Sequence, residues 1–82
     1  MPAANRDYLA AWLAAETDLS VTELTDTSEL LASGVLDSLK IMDLTMAVES
    51  DLGITIPLED VIGENFATVG SIVQMLDRLQ AG

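Results

Sequence analysis

The sequence predicts an all-α fold: a small four-helix bundle with three main helices, a short third helix, and a long ordered loop between the first two helices. Two observations lead to this prediction. Apolar residues recur at helical spacing in three segments, and residues that favour helix ends flank those segments. A length of 82 residues allows one domain with a thin core, so we expect residues 1–82 to form a single unit.

The first predicted helix has Asn5 as its N-terminal cap and runs to about Glu16. Its apolar residues share one helical face: Tyr8, Leu9, Trp12 and Leu13. This face is expected to lie against the core.

The connection from Thr17 to Asp37 shows no long period. Ser20 to Glu23 has the form of a capping box, which predicts a short helical turn. We expect the connection to be ordered because apolar residues along it can anchor onto the core: Leu19, Val21, Leu24, Leu30, Leu31 and Val35.

The second predicted helix is capped by Asp37 and continues through Ser38 to about Leu52. Gly53 fits the left-handed position that ends many helices, and Ile54 supplies the apolar contact that often follows. Both ends of this helix are therefore predicted from local sequence.

The last third of the chain predicts one short helix and one long helix. Pro57 disfavours helix in the residue before it, so residues 54–57 should form a short extended link. A brief third helix is expected from Leu58 to Ile62, and Thr68 caps the fourth. The apolar face of the fourth helix consists of Val69, Ile72, Val73, Leu76 and Leu79.

The second helix carries two apolar stripes when its residues are placed at about 100° intervals. The first stripe, expected to face the core, consists of Ile41, Leu44, Val48 and Leu52, with Thr45 beside them. The second stripe consists of Leu39, Met42 and Met46, flanked by Asp43 and Glu49. Either this helix is buried on most sides or the second stripe is a surface for partner proteins. Flexible methionines with a charged border favour the partner surface.

The composition limits the classes of function. Fourteen acidic and three basic residues give a formal net charge of −11, which disfavours binding to nucleic acid or anionic membranes. The excess charge either keeps the domain soluble or attracts proteins with basic patches. The sequence has no cysteine and no histidine, so we expect no metal site and no catalytic residue. With no long apolar run and no visible signal peptide, we expect a cytoplasmic protein. We also expect it to be a monomer.

One segment of the chain resembles a known motif. Gly34-Val35-Leu36-Asp37-Ser38-Leu39 is similar to the phosphopantetheine attachment motif of acyl and peptidyl (aminoacyl) carrier proteins. The resemblance continues through the acidic, methionine-bearing second helix, the link at residues 53–57 and Phe66-Ala67-Thr68-Val69, so it covers essentially the whole chain.

The resemblance implies that a phosphopantetheinyl transferase, using coenzyme A and magnesium, attaches 4′-phosphopantetheine covalently to Ser38, beside Asp37. A serine in the first turn of a helix suits this role because the positive end of the helix dipole tolerates a phosphodiester. The resemblance implies a non-enzymatic carrier of a thioester-bound intermediate. Its further partners would be an acyl- or aminoacyl-activating ligase and downstream synthases or transferases with basic patches.

The resemblance also implies a surface that partner enzymes bind. By position it comprises Leu39, Lys40, Met42, Asp43, Met46, Glu49, Ile56, Leu58 and Val61. Lys40 departs from many fatty-acid carriers, which are acidic or neutral there, and weakly favours specialised polyketide or nonribosomal peptide metabolism. Alternatively, Lys40 is a solvated lysine that pairs with Asp37 or Asp43, a contact that stabilises by at most about 1 kcal/mol.

Two other classes of protein are compatible with the acidic composition. An acidic mimic of nucleic acid would spread its charge over the surface, and a helical adaptor would leave Ser38 unmodified. Neither explains Asp37-Ser38-Leu39 at a helix start. A calcium sensor is disfavoured because no segment has the loop pattern that such sensors need. Within the carrier class, the sequence leaves the cargo open among fatty acyl, polyketide and aminoacyl groups.

Overall fold

The computed structural model describes residues 2–17, 25, 27 and 29–81. The described residues form helices α1 (Pro2–Glu16), α2 (Ser38–Leu52), α3 (Gly63–Phe66) and α4 (Val69–Ala81), and a 3₁₀ turn at Leu58–Asp60. In these residues the strand-like pairing is limited to a single bridge between Glu29 and Thr68. The all-α fold is therefore confirmed. Among the described helices, none has both the length and the apolar character to cross a bilayer.

The core is formed by the predicted apolar faces of the three long helices together with residues from the connections. Its buried members are Leu9, Leu13, Leu30, Leu36, Leu44, Val48, Ile54, Phe66, Val69, Ile72, Met75 and Leu76. Ile41 and Leu52, predicted for the core stripe of α2, are partly buried and pack against this cluster. Met75, which the predicted face of α4 omits, is also buried.

The predicted cap of α1 is wrong. The helix begins at Pro2, so Asn5 lies within its first turns. The Asn5 side chain is buried and donates hydrogen bonds to Asp77 Oδ1 at 2.6 Å and to Gln80 Oε1 at 3.0 Å on α4. A buried amide needs partners of this kind. Asn5 therefore joins two helices instead of starting one.

The described part of the long connection is held against the start of α4. The Leu30 N–H donates to the Ala67 carbonyl at 2.8 Å, and the Leu36 N–H donates to the Leu30 carbonyl at 2.9 Å. Leu30 is buried, and Leu31 and Val35 are partly buried against the core. These three predicted anchors are confirmed. The predicted turn at residues 20–23 and the anchors Leu19, Val21 and Leu24 lie outside the described residues.

The predicted third helix is also corrected. Instead of one helix from Leu58 to Ile62, the chain forms the 3₁₀ turn and then α3. Val61 has φ −83° and ψ 72°, and Ile62 is extended, so both leave the helical region. Because β-branched side chains are restricted in helices, this pair favours the interruption. The chain then turns again and buries Phe66.

The start of α4 confirms its predicted cap. The Thr68 Oγ1 accepts a hydrogen bond from the Ser71 N–H at 3.1 Å, and the Ser71 Oγ accepts one from the Thr68 N–H at 3.0 Å. Each side chain thereby satisfies an amide that the helix leaves without an internal partner.

Candidate functional site

Ser38 is the first residue of α2 and is exposed. The preceding residue, Asp37, has extended backbone angles, and its carboxylate accepts a hydrogen bond from the Lys40 N–H at 2.9 Å. The Asp37 carbonyl accepts the first bond of the helix, from the Ile41 N–H at 2.9 Å. This geometry confirms Asp37 as the cap of α2.

The turn before Asp37 depends on a glycine. Gly34 has φ +82°, in the left-handed region that side chains rarely adopt, and its N–H donates to the Leu31 carbonyl at 3.1 Å. A Cβ built on Gly34 meets nothing within 4 Å, so the backbone conformation, not space, favours glycine here. Buried Leu36 then fixes the chain to the core immediately before the cap. Ser38 is thus presented from an anchored segment.

An open groove of about 390 Å³ lies beside the start of α2. It separates the end of α1 from the loop and the first turn of α2. The lining residues are Glu16, Thr17, Ser33, Gly34, Val35, Asp37 and Lys40. Most of these side chains are polar or charged, so this junction between α1 and α2 is not filled by apolar packing.

The second stripe of α2 is exposed to solvent. Leu39 is 77 % exposed, Met42 55 % and Met46 67 %, and both flanking carboxylates, Asp43 and Glu49, are exposed. The alternative in which α2 is buried on most sides is therefore wrong. Exposed apolar side chains beside carboxylates form a surface of the kind that protein interfaces use.

The other residues predicted for the partner surface differ in their exposure to solvent. Leu58 is 87 % exposed, whereas Ile56 and Val61 are partly buried and pack against the core. Ile62 is 45 % exposed and was not predicted for this surface. The predicted third helix included Ile62, whose backbone is extended in the structure, just after the 3₁₀ turn.

Lys40 does not form the predicted pair with Asp37 or Asp43. Its ammonium group donates to the Glu16 backbone carbonyl at 3.1 Å and lies 3.7 Å from the Glu16 Oε1. Lys40 contacts the Asp37 carboxylate through its backbone N–H instead. Glu16 is 24 positions earlier in the chain, so no local sequence pattern could have identified it as the partner.

A second polar contact joins α1 to α2 at the opposite end of α2. The Tyr8 hydroxyl donates to Asp51 Oδ2 at 2.7 Å. Burial, the hydrogen bond and the negative charge of Asp51 together raise the pKa of Tyr8 to about 12. Two polar contacts therefore join α1 to α2: Tyr8 with Asp51 near the end of α2, and Glu16 with Lys40 near its start.

Comparison with known proteins identifies the family. Residues 7–76 match the family described as Phosphopantetheine attachment site. The chain is 35% identical over 74 residues to the D-alanyl carrier protein of Enterococcus faecalis, covering 79% of this chain and 95% of that protein. It is 31% identical over 61 residues to acyl carrier protein AsbD of Bacillus anthracis, covering 74% of this chain and 67% of that protein.

The chain therefore belongs to the family of phosphopantetheine-binding carrier proteins. The family, the covalently attached 4′-phosphopantetheine cofactor and the role of acyl or aminoacyl carrier, all predicted from the sequence, are confirmed.

Proposed function

We propose that Ser38 is the residue that bears the 4′-phosphopantetheine group, and that the chain presents an acyl or aminoacyl group from there to partner enzymes. The observation that carries the proposal is the position of Ser38: exposed, first in α2, and directly after a residue that caps the helix through its side chain. A transferase needs a serine hydroxyl that it can reach on a fixed backbone, and this arrangement supplies one.

The start of α2 suits a phosphodiester. The helix is 15 residues long, and the N–H groups of its first turn have no carbonyl partner within the helix. The positive end of the helix dipole therefore lies at Ser38. The Asp37 carboxylate is engaged by the Lys40 N–H, which offsets part of its negative charge near the serine. Once attached, the group supplies a terminal thiol that holds the cargo as a thioester.

The chain acts in this scheme as substrate and carrier, not as an enzyme. In the transfer, the Ser38 oxygen forms a bond to the phosphorus next to pantetheine, the pyrophosphate linkage of coenzyme A breaks, and adenosine bisphosphate leaves. The sequence has no histidine to activate Ser38, and in this scheme the transferase supplies the base that takes the Ser38 proton.

We propose that the exposed stripe of Leu39, Met42 and Met46 is where partner enzymes bind. Its carboxylate border and the net charge of −11 favour partners with basic patches: the transferase, an activating ligase and downstream synthases or transferases. The two similar proteins are named for different cargoes, D-alanyl and acyl, and both types of ligase remain candidates. We further propose that residues 1–82 form one monomeric, cytoplasmic carrier domain.

The test is the intact mass of the protein after incubation with coenzyme A, magnesium and a transferase of broad specificity. We expect the wild type to gain one phosphopantetheine group and Ser38→Ala to gain none while keeping its helical circular dichroism. Ser33→Ala is the matched control, because Ser33 is an exposed serine in the loop that leads to Ser38. A mass gain in Ser38→Ala would contradict the assignment. So would a result in which Ser33→Ala gains no mass while Ser38→Ala is modified.

A further inference from the structure

Lys40 connects two helix ends. Through its backbone N–H it completes the cap that Asp37 forms on α2, and through its ammonium group it binds the carbonyl and carboxylate of Glu16. Its side chain is 34% exposed and that of Glu16 is 42% exposed. Lys40, two positions after Ser38, therefore contacts both the cap residue Asp37 at the start of α2 and Glu16 at the end of α1.

The chemistry of this contact is that of a helix cap supplied by another helix. The last carbonyls of an α-helix have no partner within it and carry the negative end of its dipole, so a cation placed there is stabilising. Glu16 is the last residue of α1, and Lys40 donates to its carbonyl. The positive start of α2 and the negative end of α1 are thus held side by side.

The open groove makes this contact important for the geometry of the site. Leu13 and Ile41 pack into or against the core, but most of the side chains that line the groove itself are polar or charged, so the two helices also meet there through polar contacts. Tyr8 and Asp51 join the same two helices, but Lys40 and Asp51 lie about three turns apart on α2. Of these two described contacts, the one made by Lys40 is the one near Ser38.

We propose that Lys40 is a positioning residue for the modification of Ser38: by binding the end of α1, it fixes the direction of the first turn of α2 and so the place of the serine hydroxyl. The proposal rests on the proposed function of Ser38. At about 100° per residue, Ser38 and Lys40 point to opposite sides of the helix, so the ammonium group acts through the backbone and not on the reacting atoms.

The proposal differs from the role that the resemblance implies for Lys40. A lysine that contacted the transferase directly would contribute to binding, and its loss would raise KM with little change in kcat. A lysine that positions the serine would contribute to the reactive geometry. Its loss should lower kcat with little change in KM, because a small misplacement of a reacting group slows a reaction by about tenfold or more.

The experiment measures kcat and KM for transfer of phosphopantetheine from coenzyme A, by intact mass, at a temperature well below unfolding. Lys40→Met removes the contact and Lys40→Arg retains a cation. Tyr8→Phe is a control because it removes the Tyr8–Asp51 hydrogen bond, which joins the same two helices far from Ser38. Arg78→Met is a second control, because it removes one positive charge and the ion pair with Asp60, at 3.4 Å, which joins α4 to the 3₁₀ turn.

We expect kcat to fall about tenfold in Lys40→Met, to recover at least in part in Lys40→Arg, and to stay within about twofold of wild type in both controls. A raised KM with unchanged kcat would overturn positioning in favour of direct contact. Unchanged kinetics with a lowered Tm would overturn it in favour of a purely structural contact. The proposal would also be overturned if kcat fell as much in Tyr8→Phe or Arg78→Met as in Lys40→Met. If the wild type gains no mass, the proposed function of Ser38 fails. If the wild type and Lys40→Met are modified equally well, only the positioning role of Lys40 fails.

Discussion

The two faces of α2 have similar apolar character and different environments. On one face Leu44 and Val48 are completely buried, whereas on the other Leu39 and Met46 are more than half exposed. Both sets follow the spacing of a helical stripe, so the local pattern is the same. The difference is which face the rest of the bundle covers. A small protein that keeps apolar side chains in solvent retains surface that a partner can bury.

The largest expected effect on stability comes from the buried face. Leu44→Ala removes buried methylene groups and leaves a cavity, so we expect the free energy of unfolding to fall by about 2 to 5 kcal/mol. A domain of this size has a total stability of only about 5 kcal/mol or slightly more, so the variant should be partly unfolded at room temperature. Denaturant unfolding followed by circular dichroism measures the loss. A variant as stable as wild type would show that Leu44 is not a core residue.

A smaller effect is expected at the edge of the buried face, where Asp51 accepts the hydrogen bond from Tyr8. Tyr8→Phe should lower the free energy of unfolding by about 1 kcal/mol or less near neutral pH, because the bond is exposed to solvent. Thermal unfolding checks this value. A fall in the free energy of unfolding as large as that of Leu44→Ala would mean that the Tyr8–Asp51 contact stabilises the fold as much as a core residue does.

The same contact predicts a dependence on pH. The pKa of Tyr8 rises from its ordinary 10.0 to about 12 on folding, so the folded state keeps a proton that the unfolded state loses first. The stability from this group is full below pH 10.0 and is lost as the pH rises toward 12. Because Tyr8 is the sole tyrosine, tyrosinate absorbance reports it directly. Asp51→Asn should lower the midpoint of the tyrosinate titration, but not to the ordinary pKa of 10.0, because Tyr8 stays partly buried. An unchanged midpoint would contradict the role of Asp51.

The smallest effect on stability is expected on the exposed face. Met46→Ala should change the free energy of unfolding by less than about 0.5 kcal/mol, because Met46 is 67 % exposed. Met46→Asp should also stay folded but slow modification or loading, because it places a charge in the apolar stripe. Val48→Ala on the buried face is the matched control, with the opposite pattern of lower stability and normal rate once folded. If Met46→Asp is modified and loaded at the wild-type rate, partners bind elsewhere.

The start of α2 shows how much of the site could be predicted from the sequence. The Asp37 cap, the end at Gly53 and the spacing of both stripes depend on neighbours within about four residues, so local physics determines them. The same holds for the cap at Thr68. The family resemblance rests on these segments too, because the attachment motif coincides with the capped start of α2.

Other features depend on residues that are distant in the chain, and only the tertiary structure decided them. Asn5 resembles a cap by type, yet its amide is buried against α4 and finds its partners there. Lys40 has carboxylates close by in sequence, yet its ammonium binds Glu16, because the end of α1 lies beside it in space. The sequence by itself determined that α2 has two apolar faces. The sequence also favoured the face with Leu44 and Val48 as core, and the packing of the bundle decided that this is the face it covers, since burial depends on what covers a side chain and not on its own spacing.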